Sequence, residues 1–199
     1  EQTPIKEDDK KQPESVYGES KLMFERVLSW YDKLFDIKSV VLRYFNAAGA
    51  ALDGTLGENH NPETHIIPVA MKRALKGEGF SLYGNNYQTK DGTCVRDYIH
   101  VEDLAQAHIL ALQYLELNKT SNAFNLGVGK GYSNLEVLEM VKRVTGIDFP
   151  VKMEPRRPGD PAVLLADNTK AKEVLGFNPQ YSDLEVIVKT AWEWHKNHK

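Results

Sequence analysis

Over "SVYGESKLMFERVLSWYDKLF" the apolar positions Phe24, Val27, Leu28, Tyr31 and Leu34 recur at helical spacing, and Ser15 stands where an N-cap belongs. The spacing predicts a helix from Ser15 to about Phe35, after a polar, loop-like stretch over residues 1–14. "IKSVVLRYFN" is β-branched and aromatic and reads as a buried strand. Residues 50–65, rich in Gly, Asn and Pro, read as a loop, and "IIPVAMKRALKG" as a helix ending at Gly77. "FSLYG", "CVRDYIHV", "NAFNLGVG" and "FPVKMEP" read as further strands. "EDLAQAHILALQYLEL" and "SNLEVLEMVKRVTG" read as helices, the second with a serine cap and a glycine stop. "NNYQTKDGT" is a long turn and "RRPGDPAVLLADN" an extended loop. Two helices, "TKAKEVLG" and "LEVIVKTAWEWHKNH", close the chain.

Strands alternate with helices throughout, which predicts α/β architecture. The first element is a helix, whereas an α/β unit normally opens on a strand, so the chain reads as beginning in mid-domain. Length adds that 199 residues hold one large domain or two small ones with a real core. A net charge of -3 with the two signs interspersed, and no basic stripe interleaved with aromatics, gives no nucleic-acid or membrane-surface signature. The apolar runs are too short for a membrane span, and no leader-like segment opens the chain, which fits a cytoplasmic protein. One cysteine, Cys94, permits neither an internal disulfide nor a cysteine cluster. The six histidines show no H-E-x-x-H and no paired spacing on a helix, so no metal site is read.

Tyr17 and Lys21 lie four apart at the head of the first helix and so share a face. An ammonium beside a phenol favours the phenolate, which can act as a general base. The spacing alone is weak, since about one such pair arises by chance in a chain of this composition. On spacing alone, two solvated side chains on a helix face are the stronger reading.

The context changes the weighing. Tyr17-Gly18-x-Ser20-Lys21-Leu22, an apolar helix and then "VVLRYFNAAG" resemble the extended short-chain dehydrogenase/reductase family. "GNNYQTKDGTCVRDYIHVEDLAQAH", "AFNLGVGKGYSNLEV" and "RRPGDPAVLLADNTKAKEVLG" narrow the resemblance to the UDP-glucose 4-epimerase branch, from about residue 13 to residue 195. It implies a doubly wound, Rossmann-type parallel sheet that binds NAD, plus a smaller α/β substrate-binding domain. Residues 1–49 would belong to the NAD-binding domain, 50–94 to the substrate domain, 95–130 again to the NAD-binding sheet, and 131–199 to the second part of the substrate domain. The implied activity is reversible 4-epimerisation of UDP-sugars through a 4-keto intermediate, in a homodimer formed through the helix that carries Tyr17.

By the same resemblance Tyr17 is the base, Lys21 eases its ionisation and bonds the nicotinamide ribose, and Phe45 sits beside the nicotinamide. Asn46 contacts the diphosphate end of the substrate. Arg96 and Arg157 contact the pyrophosphate, for which guanidinium forks are suited. His65 and Ile66 line the nucleotide, Ser81 and Tyr83 surround the uracil, Tyr98 lies close to the nucleotide, and Asp160 bonds the uridine ribose. Asp97 has a plainer reading as an ion-pair partner of Arg96. Leu164 stands where many relatives carry tyrosine beside the sugar C2, which implies that N-acetylated UDP-sugars are accepted too.

Two features of the family are not read in these residues: the Gly-rich dinucleotide loop and the Ser or Thr that precedes the catalytic tyrosine. "GVGKG", Gly127 to Gly131, has the wrong spacing for that loop and reads as a strand-end turn. The chain therefore reads as the C-terminal part of a longer enzyme, inactive and poor at binding NAD when isolated. Two readings stay open beside the epimerase. One is another nucleotide-sugar enzyme of the family, a uronate epimerase, decarboxylase or dehydratase. The other is a non-catalytic UDP-sugar-binding module.

Overall fold

The structure is a computed structural model that describes residues 3–198. Helix α1 (Val16–Phe35) begins where the sequence places it, with the Ser15 hydroxyl accepting from the Gly18 N–H. Strand β1 (Val40–Tyr44) pairs in parallel with β5 (Asn122–Leu126). Strand β4 (Val95–His100) pairs with three others: β2 (Asn46–Ala48) in parallel, β6 (Gly131–Ser133) antiparallel and β8 (Val163–Leu164) in parallel. Strands β3 (Phe80–Tyr83) and β7 (Val151–Glu154) form a third, parallel pair.

Helices α2 (Ile66–Leu75), α4 (Asn134–Thr145) and α6 (Leu184–Asn197) pack on one another around Met71, Leu138, Val141 and Ile187, with β3 at their edge. A second cluster around Phe124, Leu126 and Phe177 joins α3 (Val101–Asn118) and α5 (Thr169–Leu175) to β1 and β5. The local signals are the expected ones. Ser133 and Glu136 complete a capping box, and Gly146 ends α4 in the left-handed region.

Three expectations need correction. β1 was expected to be buried, yet every residue of it is half-buried or exposed. The reason is that among the described residues it has one strand neighbour, β5, and α1 covers it only loosely: α1 has no buried residue, and Phe24, Trp30, Leu34 and Phe35 are all exposed. The segments around β2 and β6 form separate three-residue strands rather than extensions of their neighbours. The loop over residues 156–168 contains β8.

Candidate functional site

Three cavities lie in a row, and shared residues join them. The first, of about 350 Å³, is lined by Ser81, Tyr83, Arg157 and Ile66. Ile66 also lines the second, of about 570 Å³, with Tyr17, Phe45, Asn46, His65 and Tyr98. Tyr17 in turn lines the third, of about 600 Å³, with Lys21 and the β1 residues Val40 to Tyr44. Ten of the thirteen residues singled out from the sequence thus belong to one continuous run.

Tyr17 is 72% exposed, and the Lys21 ammonium lies 5.0 Å from the centroid of its ring. Their position depends on an ion pair the sequence did not flag. Arg43 on β1 donates from Nε and Nη2 to both carboxylate oxygens of Glu25 on α1, at 2.8 and 2.6 Å, and from Nη1 to the Glu7 carbonyl. Such a two-pronged pair fixes orientation as well as distance. It ties α1 to the sheet in place of buried side chains.

Phe45 and Asn46 follow β1 directly, at its carboxyl end. The Asn46 side-chain amide donates to the Asp97 carbonyl at 2.8 Å, which fixes its plane and leaves its oxygen free of that bond. Tyr98 is only 3% exposed, and burial pushes its phenol well above the usual range, so it is a neutral wall of the cavity. In the first cavity the Arg157 guanidinium lies 4.1 Å from the Tyr83 ring centroid, and beside it Arg156 lies 3.8 Å from that of Tyr87.

Arg96, Asp160 and Leu164 form a separate group. Arg96 Nη1 donates to the Val95 and Pro161 carbonyls at 3.0 and 2.8 Å, and its Nη2 lies 3.7 Å from the Asp160 carboxylate. Leu164 is in register with Arg96 across β8 and β4. The pairing of Asp97 with Arg96 is not what forms. Neighbours on a strand point to opposite faces, and the buried Asp97 carboxylate accepts from the N–H groups of Val128, Gly129 and Ala166 at 2.9, 3.0 and 3.1 Å. Burial raises its pKa above the ordinary carboxylate value, and those three bonds oppose the rise. Two of these contacts take the Val128 and Gly129 amides of the Gly127–Gly131 turn, which point at the Asp97 carboxylate and not at a phosphate.

The middle cavity also contains residues that the sequence left unremarked. Glu58 and His60 lie on the loop before α2, and Trp194 and His195 come from α6. The loop is seated tightly: a Cβ on Gly57 would come 2.2 Å from Trp194 Cγ. Glu58, His60, Glu63 and His65 bring one ligand-type atom each to within 4.8 Å of one another. Their signal in the sequence was the run "ENHNPETH", which carries four such groups in eight residues but lies in a loop, where helical spacing rules do not apply.

Parallel strands with a cavity at the carboxyl end of β1 place the chain in the Rossmann-type α/β class. Residues 1–127 match the NAD dependent epimerase/dehydratase family, and the chain belongs to that family. It is 54% identical over 196 residues to the UDP-glucose 4-epimerase of Lactobacillus helveticus, which covers 98% of this chain and 59% of that protein. The UDP-glucose 4-epimerase from Brucella ovis in complex with NAD superimposes with a TM-score of 0.92 at 47% identity, over 96% of this chain and 59% of that one. The UDP-Glc/GlcNAc 4-epimerase from Campylobacter jejuni gives 0.79 at 45% identity, over 97% and 59%. The chain spans about three fifths of the length of these relatives.

Proposed function

We propose that this chain supplies the catalytic tyrosine and the substrate pocket of an NAD-dependent UDP-sugar 4-epimerase. The observation that carries the reading is the shared wall. Tyr17 borders both the cavity lined by Asn46 and His65 and the groove lined by Lys21, so a single phenol reaches a sugar on one side and a cofactor on the other. Ile66 joins the sugar cavity to the one lined by Tyr83 and Arg157, which suits a pyrimidine nucleotide.

The side chains present fit the nicotinamide end of NAD: an ammonium, Lys21, for ribose hydroxyls, and the Phe45 ring as an apolar wall. When bound there, NAD supplies a reversible hydride acceptor. The work of the chain itself is acid–base and positional. Tyr17, as phenolate, takes the proton of the sugar 4-hydroxyl, and returns it to the same oxygen once the 4-keto sugar has turned over. Lys21 stabilises the phenolate. Arg157 and Arg96 hold the diphosphate. Binding energy concentrated on the nucleotide leaves the sugar free to rotate between its two faces, which the stereochemical outcome requires. Asp160 is assigned to the uridine ribose, Ser81 and Tyr83 to the uracil. Leu164, smaller than a tyrosine, leaves room for an N-acetyl group. Residues 1–49 and 95–130 are read as part of the cofactor-binding domain, 50–94 and 131–199 as the substrate domain. The apolar face of α1 is read as the surface of a homodimer.

The test is a proton NMR time course on the complete protein with NAD+, given UDP-glucose and separately UDP-GlcNAc. Anomeric signals of the galacto products are expected from both. A protein that binds UDP and NAD+ yet converts neither sugar is not an epimerase.

A further inference from the structure

We propose that Glu58, His60, Glu63 and His65 form a binding site for one divalent transition-metal cation of the zinc type, at the mouth of the sugar cavity. The argument is geometric. His60 Nδ1 lies 2.9 Å from Glu58 Oε1, and His65 Nδ1 contacts the same oxygen. Glu63 Oε1 lies 3.7 Å from His60 Nδ1 and 3.6 Å from His65 Nδ1. Two imidazole nitrogens and two carboxylate oxygens thus converge on one point from a single loop. Zinc bound tetrahedrally at its usual bond lengths holds its ligand atoms about 3.3 Å apart. The spacings around Glu58 and Glu63 therefore bracket what zinc needs, and small side-chain rotations close the shell.

The donor set selects the metal. Calcium and magnesium take oxygen ligands, whereas paired imidazoles with carboxylates suit zinc, cobalt or nickel. The cluster is both pre-organised and reachable. The Glu63 side chain is only 6% exposed, and its Oε1 is held by the N–H groups of Thr64 and His65 at 2.9 and 3.1 Å. The two histidine rings are more than half exposed, with centroids 5.5 Å apart. Among the described residues, the one ammonium paired with the cluster is Lys72, whose Nζ lies 3.5 Å from Glu63 Oε2, the oxygen not shared with the histidines. One ammonium against two carboxylates leaves a net negative site for a dication. Because Glu58, His60 and His65 also line the sugar cavity, a bound cation would fix this wall and narrow the entrance.

The test reads the metal directly and does not rest on the epimerase reading. The complete protein, freed of metal with chelator and lacking any histidine tag, is titrated with a cobalt(II) salt and, by calorimetry, with a zinc(II) salt. One equivalent per chain is expected, with the intense visible ligand-field bands of four-coordinate cobalt. His60→Ala and His65→Ala are each expected to weaken binding about tenfold or more. Both side chains are exposed, so folding is unaffected. Glu58→Gln is expected to act in the same direction, and His108→Ala, on α3 and outside both the cluster and the cavity, to change nothing. Absence of a one-equivalent transition, or binding unchanged in the His60→Ala/His65→Ala double variant, overturns the proposal.

Discussion

The Arg157 guanidinium stacks on the ring of Tyr83, 4.1 Å from its centroid, and both side chains line the cavity joined to the rest of the site through Ile66. The stack holds a flexible cation in one direction, so its charge faces a phosphate without first being ordered. Arg157→Ala is expected to weaken UDP binding about tenfold, roughly 1.4 kcal/mol. Arg157→Lys is expected to recover little of this, because an ammonium neither stacks so well nor binds two phosphate oxygens at once. Titration calorimetry with UDP checks both. Equal affinity in the alanine variant would detach Arg157 from the nucleotide.

Leu164 lies against Arg96 across the β8–β4 ladder. Leu164→Tyr adds ring volume and a hydroxyl. It is expected to slow conversion of the N-acetylated sugars about tenfold while changing the unacetylated pair little. Rates for the four UDP-sugars settle this: an equal loss on both pairs contradicts a role at C2.

The His100 ring is fully buried. Its Nδ1 accepts from the Glu102 N–H at 3.1 Å, so the proton sits on Nε2, which donates to the Thr190 hydroxyl at 2.9 Å. The bond accepted at Nδ1 requires the neutral ring, because protonation there would set an N–H against the Glu102 N–H. Burial depresses its pKa below the ordinary 6.5, and the nearby Asp103 and Glu102 carboxylates pull it partly back. The unfolded chain therefore takes up this proton first as pH falls. The contribution to stability is complete above about 6.5 and is lost as pH falls through the depressed folded value. His195, depressed by burial too, acts in the same sense. The urea midpoint of the complete protein is expected to drop between about pH 7.5 and about pH 5, and His100→Gln to flatten that slope. A midpoint that rises on acidification over this range contradicts the assignment.

Much of this molecule was legible in the sequence. The periodicity of α1, the Ser15 cap, and the serine cap and glycine stop of α4 are local signals, and local physics decided them. β2 and β6 were not separately legible, because three residues are too few to show alternation, and what makes them strands is their neighbour β4. The burial of β1 was misjudged because an apolar β-branched run says what a segment can bury, not whether anything covers it. Asp97 was read as a partner for its neighbour Arg96, yet strand alternation sends the two apart and backbone amides take the carboxylate. The 58–65 cluster escaped because its four groups converge through loop conformation, which no periodic rule describes.

Helix α1 exposes Phe24, Trp30, Leu34 and Phe35 and is held to β1 by the Arg43–Glu25 pair. Prepared as a separate polypeptide, these 199 residues are expected to self-associate, to bind hydrophobic dyes and to retain no NAD. Sedimentation and dye fluorescence check this. A monomer that unfolds cooperatively and retains NAD contradicts it.

The central claim is that Tyr17, between the sugar cavity and the groove of Lys21, moves the proton of the sugar 4-hydroxyl. The direct measurement is the NMR rate of interconversion of UDP-glucose and UDP-galactose by the complete protein and its Tyr17→Phe variant, with UDP affinity measured on both. The account predicts a loss of at least about a hundredfold in turnover, with UDP affinity unchanged. Turnover within a few-fold of the unaltered protein would contradict it.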